Sequence, residues 1–249
     1  MEWTENSRPG ILAAVALAAS RGGRRLFAGL GFTLAPGSAL LLTGPNGSGK
    51  SSLLRLLAGF GRPTSGGFTW DAAPIEAAIE AHRHRLHYVG HHDALKPALT
   101  VAETLEFWTA VAGREGALLP AALDAFGLAP LAGLPCRFLS AGQRRRLALA
   151  RLVAWPAPLW LLDEPTVGLD MESRQALLEH VRRLCAERGL AALWATHLID
   201  EAEDDASVIV LHRGTVRAAG TVPAILALTG RPTLRAAFDA LVADPKGPR

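Results

Sequence analysis

The run Gly44-Pro45-Asn46-Gly47-Ser48-Gly49-Lys50-Ser51 restricts this chain more than any other stretch. It matches the spacing G-x-x-x-x-G-K-[ST], and its flanks supply the context that this spacing needs. Residues 39–43, Ala-Leu-Leu-Leu-Thr, read as a buried strand, and residues 52–58, Ser-Leu-Leu-Arg-Leu-Leu-Ala, as a helix. Strand, glycine-rich loop and helix in that order predict an α/β core. The glycines let the backbone turn tightly, so that its N–H groups face phosphate oxygens, and the helix adds the positive end of its dipole. In such a loop Lys50 reaches the β- and γ-phosphates and the hydroxyl of Ser51 ligates Mg²⁺, with Ser52 completing the set.

A length of 249 residues allows one large domain or two small lobes, and 49% hydrophobic with 20% charged residues is enough to bury a core. The net charge is +3 and the pI near 9.3. Nearly all of the 26 basic residues are arginines scattered along the chain. Scattered charge argues for a solvated surface and against nucleic acid as a partner. It could also help the chain sit near an anionic leaflet. Cys136 and Cys185 lie far apart and read as two ordinary thiols, with a disulfide left open. The apolar residues 11–19 are too short to cross a bilayer and follow Glu2 and Glu5, so they read as the first strand. No other stretch reaches a spanning length free of charge. A membrane role would need partners.

Residues 11–43 read as strands with turns at Arg21-Gly22-Gly23 and Pro36-Gly37. Residues 68–70 form a short strand, Asp71-Ala72-Ala73-Pro74 turns away from it, and residues 86–89 form another. From Thr100 to about Val153 the pattern reads as helical, opened by a capping box of Thr100 and Glu103. Residues 159–162 and 190–195 are continuous apolar runs, short enough for central parallel strands. Residues 207–211 and 215–219 flank His212-Arg213-Gly214 as a hairpin. The last thirty or so residues read as a short helix, a break at Gly230-Arg231-Pro232, a second helix and a polar tail.

The run Leu159-Trp160-Leu161-Leu162-Asp163-Glu164 puts two carboxylates at the carboxyl edge of a parallel sheet, where ligands of open α/β sheets sit. Asp163 is expected to hold Mg²⁺ and Glu164 to polarise the attacking water. Between these residues and the loop stands Leu139-Ser140-Ala141-Gly142-Gln143, followed by Arg144-Arg145-Arg146. Ser140 and Gly142 open a helix, a further anion site.

The order and spacing of these three elements resemble the ATPases of ABC transporters, over residues 11 to about 220. That resemblance implies an α/β fold: a P-loop NTPase core with a mixed, largely parallel sheet, an antiparallel β subdomain and a helical lobe over about residues 92–155. Residues 1–220 would form the cassette and 221–249 a helical extension. The resemblance implies ATP and Mg²⁺ as cofactors. It also implies a second cassette as partner, with Ser140, Gly142 and Gln143 touching the γ-phosphate held by the other subunit. Asp170, in Gly168-Leu169-Asp170, resembles the residue that contacts the partner, and His197 the switch histidine that positions water.

Two positions depart from the usual pattern. His91 stands where the family usually has a Gln near the metal. Imidazole can ligate Mg²⁺ or bond its water, which makes His91 a candidate metal residue beside Ser51 and Asp163, although it is a poorer ligand for a hard cation than an amide oxygen. No aromatic residue is available near Ser20-Arg21-Gly22-Gly23 to stack on adenine, although Arg21 could stack through its guanidinium plane. The cluster His82, His84, His87, His91 and His92 lacks the spacing of a zinc site and reads as a polar surface segment. Gly90-His91, the run from Asp93 to Thr100, Arg21-Gly22-Gly23-Arg24 and Ser-Ala-Gly-Gln-Arg-Arg-Arg resemble the haem-exporter branch that serves bacterial cytochrome c maturation. That branch implies an integral membrane permease as partner and a peripheral location on the cytoplasmic face of the inner membrane. The longer carboxyl end resembles ATPases of small-molecule or polymer efflux pumps. A soluble ABC ATPase without a permease is the third reading, and the single cassette and lack of sustained heptads speak against it.

Overall fold

The apolar run at residues 39–43 organises the fold. Leu40, Leu41 and Leu42 are buried, and the strand has a parallel neighbour on each side. A strand covered on both faces needs no alternation of polar and apolar residues. The computed structural model describes residues 8–114, 118–155, 157–202 and 206–243. Glu2, Glu5, Glu203 and the polar tail lie outside the described residues. In chain order the strands are β1 (Leu12–Arg21), β2 (Arg24–Leu34), β3 (Ala39–Thr43), β4 (Ser65–Trp70), β5 (Ala73–Pro74), β6 (Leu86–Val89), β7 (Leu159–Asp163), β8 (Ala191–Thr196), β9 (Ser207–His212) and β10 (Thr215–Thr221). The helices are α1 (Lys50–Leu57), α2 (Ile79–His84), α3 (Val101–Val111), α4 (Leu119–Ala125), α5 (Ala141–Ala154), α6 (Met171–Arg188), α7 (Val222–Thr229) and α8 (Leu234–Ala243).

A six-stranded sheet runs in the order β10-β9-β3-β8-β7-β6, parallel except where β10 turns back on β9. The carboxyl ends of β3, β6, β7 and β8 therefore lie along one edge. An antiparallel sheet, β2-β1-β4-β5, forms the second layer. Its residues Leu12, Leu17, Phe27, Leu30 and Phe68 share a core with α1 and one face of the large sheet. The opposite face packs against α6, α7 and α8 through Leu177, Val181, Ile225, Phe238 and Leu241. The terminal helices thus share the core of the large sheet. A third core, with Val101, Leu105, Ala122, Leu147 and Ala150, holds α3, α4 and α5 together.

The helical reading of residues 100–153 needs correction. The segment breaks into α3, α4 and α5, with 3-10 turns at Ala129–Leu131 and Cys136–Phe138. Pro130 and Pro135 explain the breaks, because proline lacks the N–H and disfavours helix in the residue before it. The cap at Thr100 forms as expected: Glu103 N donates to Thr100 Oγ1 (3.2 Å) and Thr100 N to Glu103 Oε2 (2.8 Å). Helix α6, the longest, is absent from the sequence reading. Its buried residues are Leu177, Leu178, Val181 and Cys185, one narrow stripe among charged neighbours. Both cysteines are free and buried, and burial pushes the Cys185 thiol up to about 12.

The histidine segment is also corrected. His82 and His87 are buried at 0% and 2% exposure, not on a polar surface. His82 Nε2 donates to Leu57 O (2.6 Å) and His87 Nε2 to Trp155 O (3.0 Å). Burial holds both neutral, at about 4 and about 3. They fasten α2 to α1 and β6 to the end of α5. Only His84, His91 and His92 keep substantial exposure.

Candidate functional site

The loop after β3 is shaped by three glycines with left-handed backbones: Gly44 (φ +155°), Gly47 (φ +78°) and Gly49 (φ +111°). At Gly44 a Cβ would come within 1.9 Å of Leu211 O, so glycine is obligatory there. Gly49 is the N-cap of α1 and supplies no side-chain cap. The first N–H groups of α1 therefore stay available for an anion. Asn46, Gly47, Gly49, Lys50, Ser51 and Ser52 line a cavity of about 380 Å³ with His91, Glu164 and Leu26. An adjoining cavity of about 630 Å³ takes in Pro45, Ser48, Arg25 and Arg213. Arg21, read as a possible stacking residue, lines neither.

Lys50 is 5% exposed, and its Nζ donates to Gly44 O (2.7 Å) and Pro45 O (3.1 Å). Burial lowers its pKa, while the charges of Glu164 and Asp163 oppose that shift. Ser51 Oγ donates to Asp163 Oδ1 at 3.0 Å. Burial pushes the Asp163 carboxyl up, against the Ser51 hydrogen bond, and the neighbouring Glu164 adds to the rise. A desolvated carboxylate beside a hydroxyl favours a nearby cation, and both donors are hard oxygens of the kind Mg²⁺ takes. Among the described residues, no three His, Cys, Asp or Glu side chains converge on a metal position. Water or phosphate oxygens would have to complete an octahedral shell.

Glu164 follows the end of β7 with φ +50°, a region few non-glycine residues enter. Its carboxylate stands between two imidazoles: His197 Nδ1 lies 3.1 Å from Oε1, and His91 Nδ1 lies 3.9 Å from Oε2. Within the site the His91 ring thus faces Glu164. Three strand ends and one loop therefore bring together Lys50, Ser51, His91, Asp163, Glu164 and His197.

Ser140, Gly142, Gln143 and Asp170 form a separate patch outside that cavity. Ser140 caps α5 in a full capping box: Gln143 N donates to Ser140 Oγ (3.2 Å), and Ser140 N to Gln143 Oε1 (2.8 Å). A Cβ on Gly142 would meet Gly168 O at 3.0 Å, so this glycine lets the two loops approach. Asp170 caps α6, accepting from Ser173 N (2.8 Å) and Ser173 Oγ (3.1 Å), bonds that lower its pKa.

The sequence reading missed Arg145, taken there as one of three consecutive arginines. It is 4% exposed and donates to Pro165 O, Gly90 O, Asp93 Oδ1, Asp163 O and Glu164 O. A signal was present: Arg145 stands three and four residues before Ala148 and Leu149, on the buried stripe of α5.

Residues 27–167 match the ABC transporter family, and the chain belongs to that family: it is an ATP-hydrolysing, nucleotide-binding α/β cassette. The cytochrome c biogenesis ATP-binding export protein of Rhodospirillum rubrum is 54% identical to it over 189 residues, 76% of this chain and 81% of that one. Its counterpart in Paracoccus denitrificans is 50% identical over 188 residues, covering 76% and 83%. The solved structure of an ATP binding subunit of an ABC transporter superposes with a TM-score of 0.84 at 26% identity, covering 93% of this chain and 99% of that one.

Proposed function

We propose that the chain is the ATPase subunit of the exporter that serves cytochrome c maturation, the haem-exporter branch of the family. The observation that carries this reading is the high identity to export proteins of cytochrome c biogenesis along most of their length. In this reading residues 1–220 form the cassette, with residues 92–155 as its helical lobe and 221–249 as an extension. No described helix is long and apolar enough to cross a membrane. The cassette works peripherally, on the cytoplasmic face of the inner membrane, beneath an integral permease.

Residues 44–52 cradle the phosphates of ATP with backbone N–H groups, and Lys50 turns from the loop carbonyls toward the β- and γ-oxygens. Ser51 and Asp163 would hold Mg²⁺, which would supply positive charge beside those oxygens. Glu164 accepts the proton of the attacking water, with its carboxylate oriented by His197. His91 stands on the other side of the same carboxylate. Ser140, Gly142 and Gln143 meet the γ-phosphate bound by a second cassette, with Asp170 at the seam. Closure of the two cassettes draws on the permease, and hydrolysis reopens them.

The test is a haem-stained gel of cells carrying chromosomal Glu164→Gln. Loss of every covalent haem band, with the apoproteins still made, is the expected result. Normal bands would sink the maturation role. They would favour efflux, whose ATPases the carboxyl end resembles in sequence.

A further inference from the structure

We propose that Arg145 is a positioning residue for turnover: it holds the backbone turn that presents Glu164 and locks that turn to the head of α5. The inference rests on the ATPase reading of the site. A guanidinium has five N–H donors in a fixed plane, and here each has its own acceptor. Nε donates to Pro165 O (3.0 Å). Nη1 donates to Gly90 O (2.9 Å) and Asp93 Oδ1 (3.1 Å). Nη2 donates to Asp163 O (2.9 Å) and Glu164 O (2.7 Å).

Three successive carbonyls, at residues 163, 164 and 165, thus converge on one buried cation. Such convergence reverses the alternation of a strand and goes with the left-handed backbone at Glu164. From the other side, the hydroxyl of Thr166 donates to the buried carboxylate of Glu201, just beyond His197. The turn is therefore fastened both to the segment carrying His197 and, through Gly90 and Asp93, to the segment carrying His91. Arg145 lies five residues beyond Ser140 on the same rigid helix. Whatever moves the head of α5 moves the guanidinium, and with it the carbonyl cluster behind Glu164. The phosphate loop, built on β3 and α1, takes no bond from Arg145.

Lysine cannot replace this group, because an ammonium carries three donors and no plane. The experiment uses the full-length chain, with a fluorescent ATP analogue for affinity and steady-state hydrolysis for kcat and KM. In Arg145→Lys the expected kcat falls at least ten-fold, while analogue affinity stays within three-fold of wild type. Arg145→Lys added to Glu164→Gln is expected to slow turnover less than two-fold further, because both act through one carboxylate. Unchanged kcat in Arg145→Lys, or losses that multiply in the double variant, would overturn the proposal. Asp93→Asn serves if the arginine variants fail to fold: it keeps an acceptor oxygen, and the expected result is a kcat about three-fold lower at unchanged affinity. Normal kcat there would overturn the proposal equally. A wild-type chain without ATP turnover would instead remove the underlying reading. Turnover abolished by Lys50→Ala but intact in Arg145→Lys would remove only this one.

Discussion

Helices α1 and α5 both begin where an anion is expected, and they begin differently. Helix α1 starts from Gly49, which brings no side chain, so its first donors face the cavity unopposed. Helix α5 starts from Ser140 and Gln143, which satisfy each other's backbone N–H groups. The first end offers open backbone donors to a phosphate, and only the Lys50 side chain has to leave the carbonyls of Gly44 and Pro45 to join them. The second is a finished helix terminus that must exchange or share internal bonds before it can serve a phosphate from another subunit. In the proposed function, binding can thus precede assembly, while hydrolysis waits for it.

The harshest way to break this contrast is at the open end. Lys50→Ala should weaken binding of a fluorescent ATP analogue by about a hundred-fold or more, given the strength of charge-assisted bonds to phosphate. Retention of affinity would mean that the loop is not the phosphate site. Next comes Ser140→Ala, which should leave analogue affinity within about two-fold while ATP turnover falls at least ten-fold. Loss of affinity in that variant would erase the distinction between the two ends. The same variant should lower stability by about 1 kcal/mol in urea unfolding, as the removal of a cap does. Asp170→Ala should lower the melting temperature through loss of the cap on α6, with calorimetry as the check.

A smaller effect sharpens the picture of the support beneath both ends. His82 and His87 are neutral in the folded chain, with pKa values lowered to about 4 and about 3. An unfolded histidine takes up a proton at about 6.5. Stability is therefore whole above that value and falls as the pH drops toward the folded values. Between pH 7 and 5 the loss should be about 2 kcal/mol per histidine. His87→Gln should remove roughly one histidine's share of that slope in pH-dependent urea melts. An unaltered slope would refute the neutral burial of His87.

The sequence showed most of what is local. The loop at residues 44–51, the carboxylates after β7, the cap at Ser140 and the paired strands β9 and β10 each carry a signature within a few residues. What it hid depends on long-range packing. The histidines at 82 and 87 looked like part of a polar run, yet their acceptors are the carbonyls of Leu57 and Trp155, far along the chain. Arg145 looked like one member of a basic triplet, and only the burial of one stripe of α5 separates it from Arg144 and Arg146. Helix α6 escaped because few of its residues are buried, although Asp170 and Gly189 mark its two ends.

The clasp between Gly44 and Leu211 has a consequence for biosynthesis. The nucleotide loop rises from β3, whose parallel neighbours β8 and β9 are both made far later in the chain. Gly214 closes just as tightly, since a Cβ there would sit 2.2 Å from Leu26 O. A ribosome must therefore release nearly the whole cassette before the loop can take its final shape. Until then the apolar strands around Leu40 to Leu42 stand unpaired, in a chain dominated by non-local contacts that fold slowly. The nucleotide loop therefore cannot take its final shape before the last hairpin has emerged.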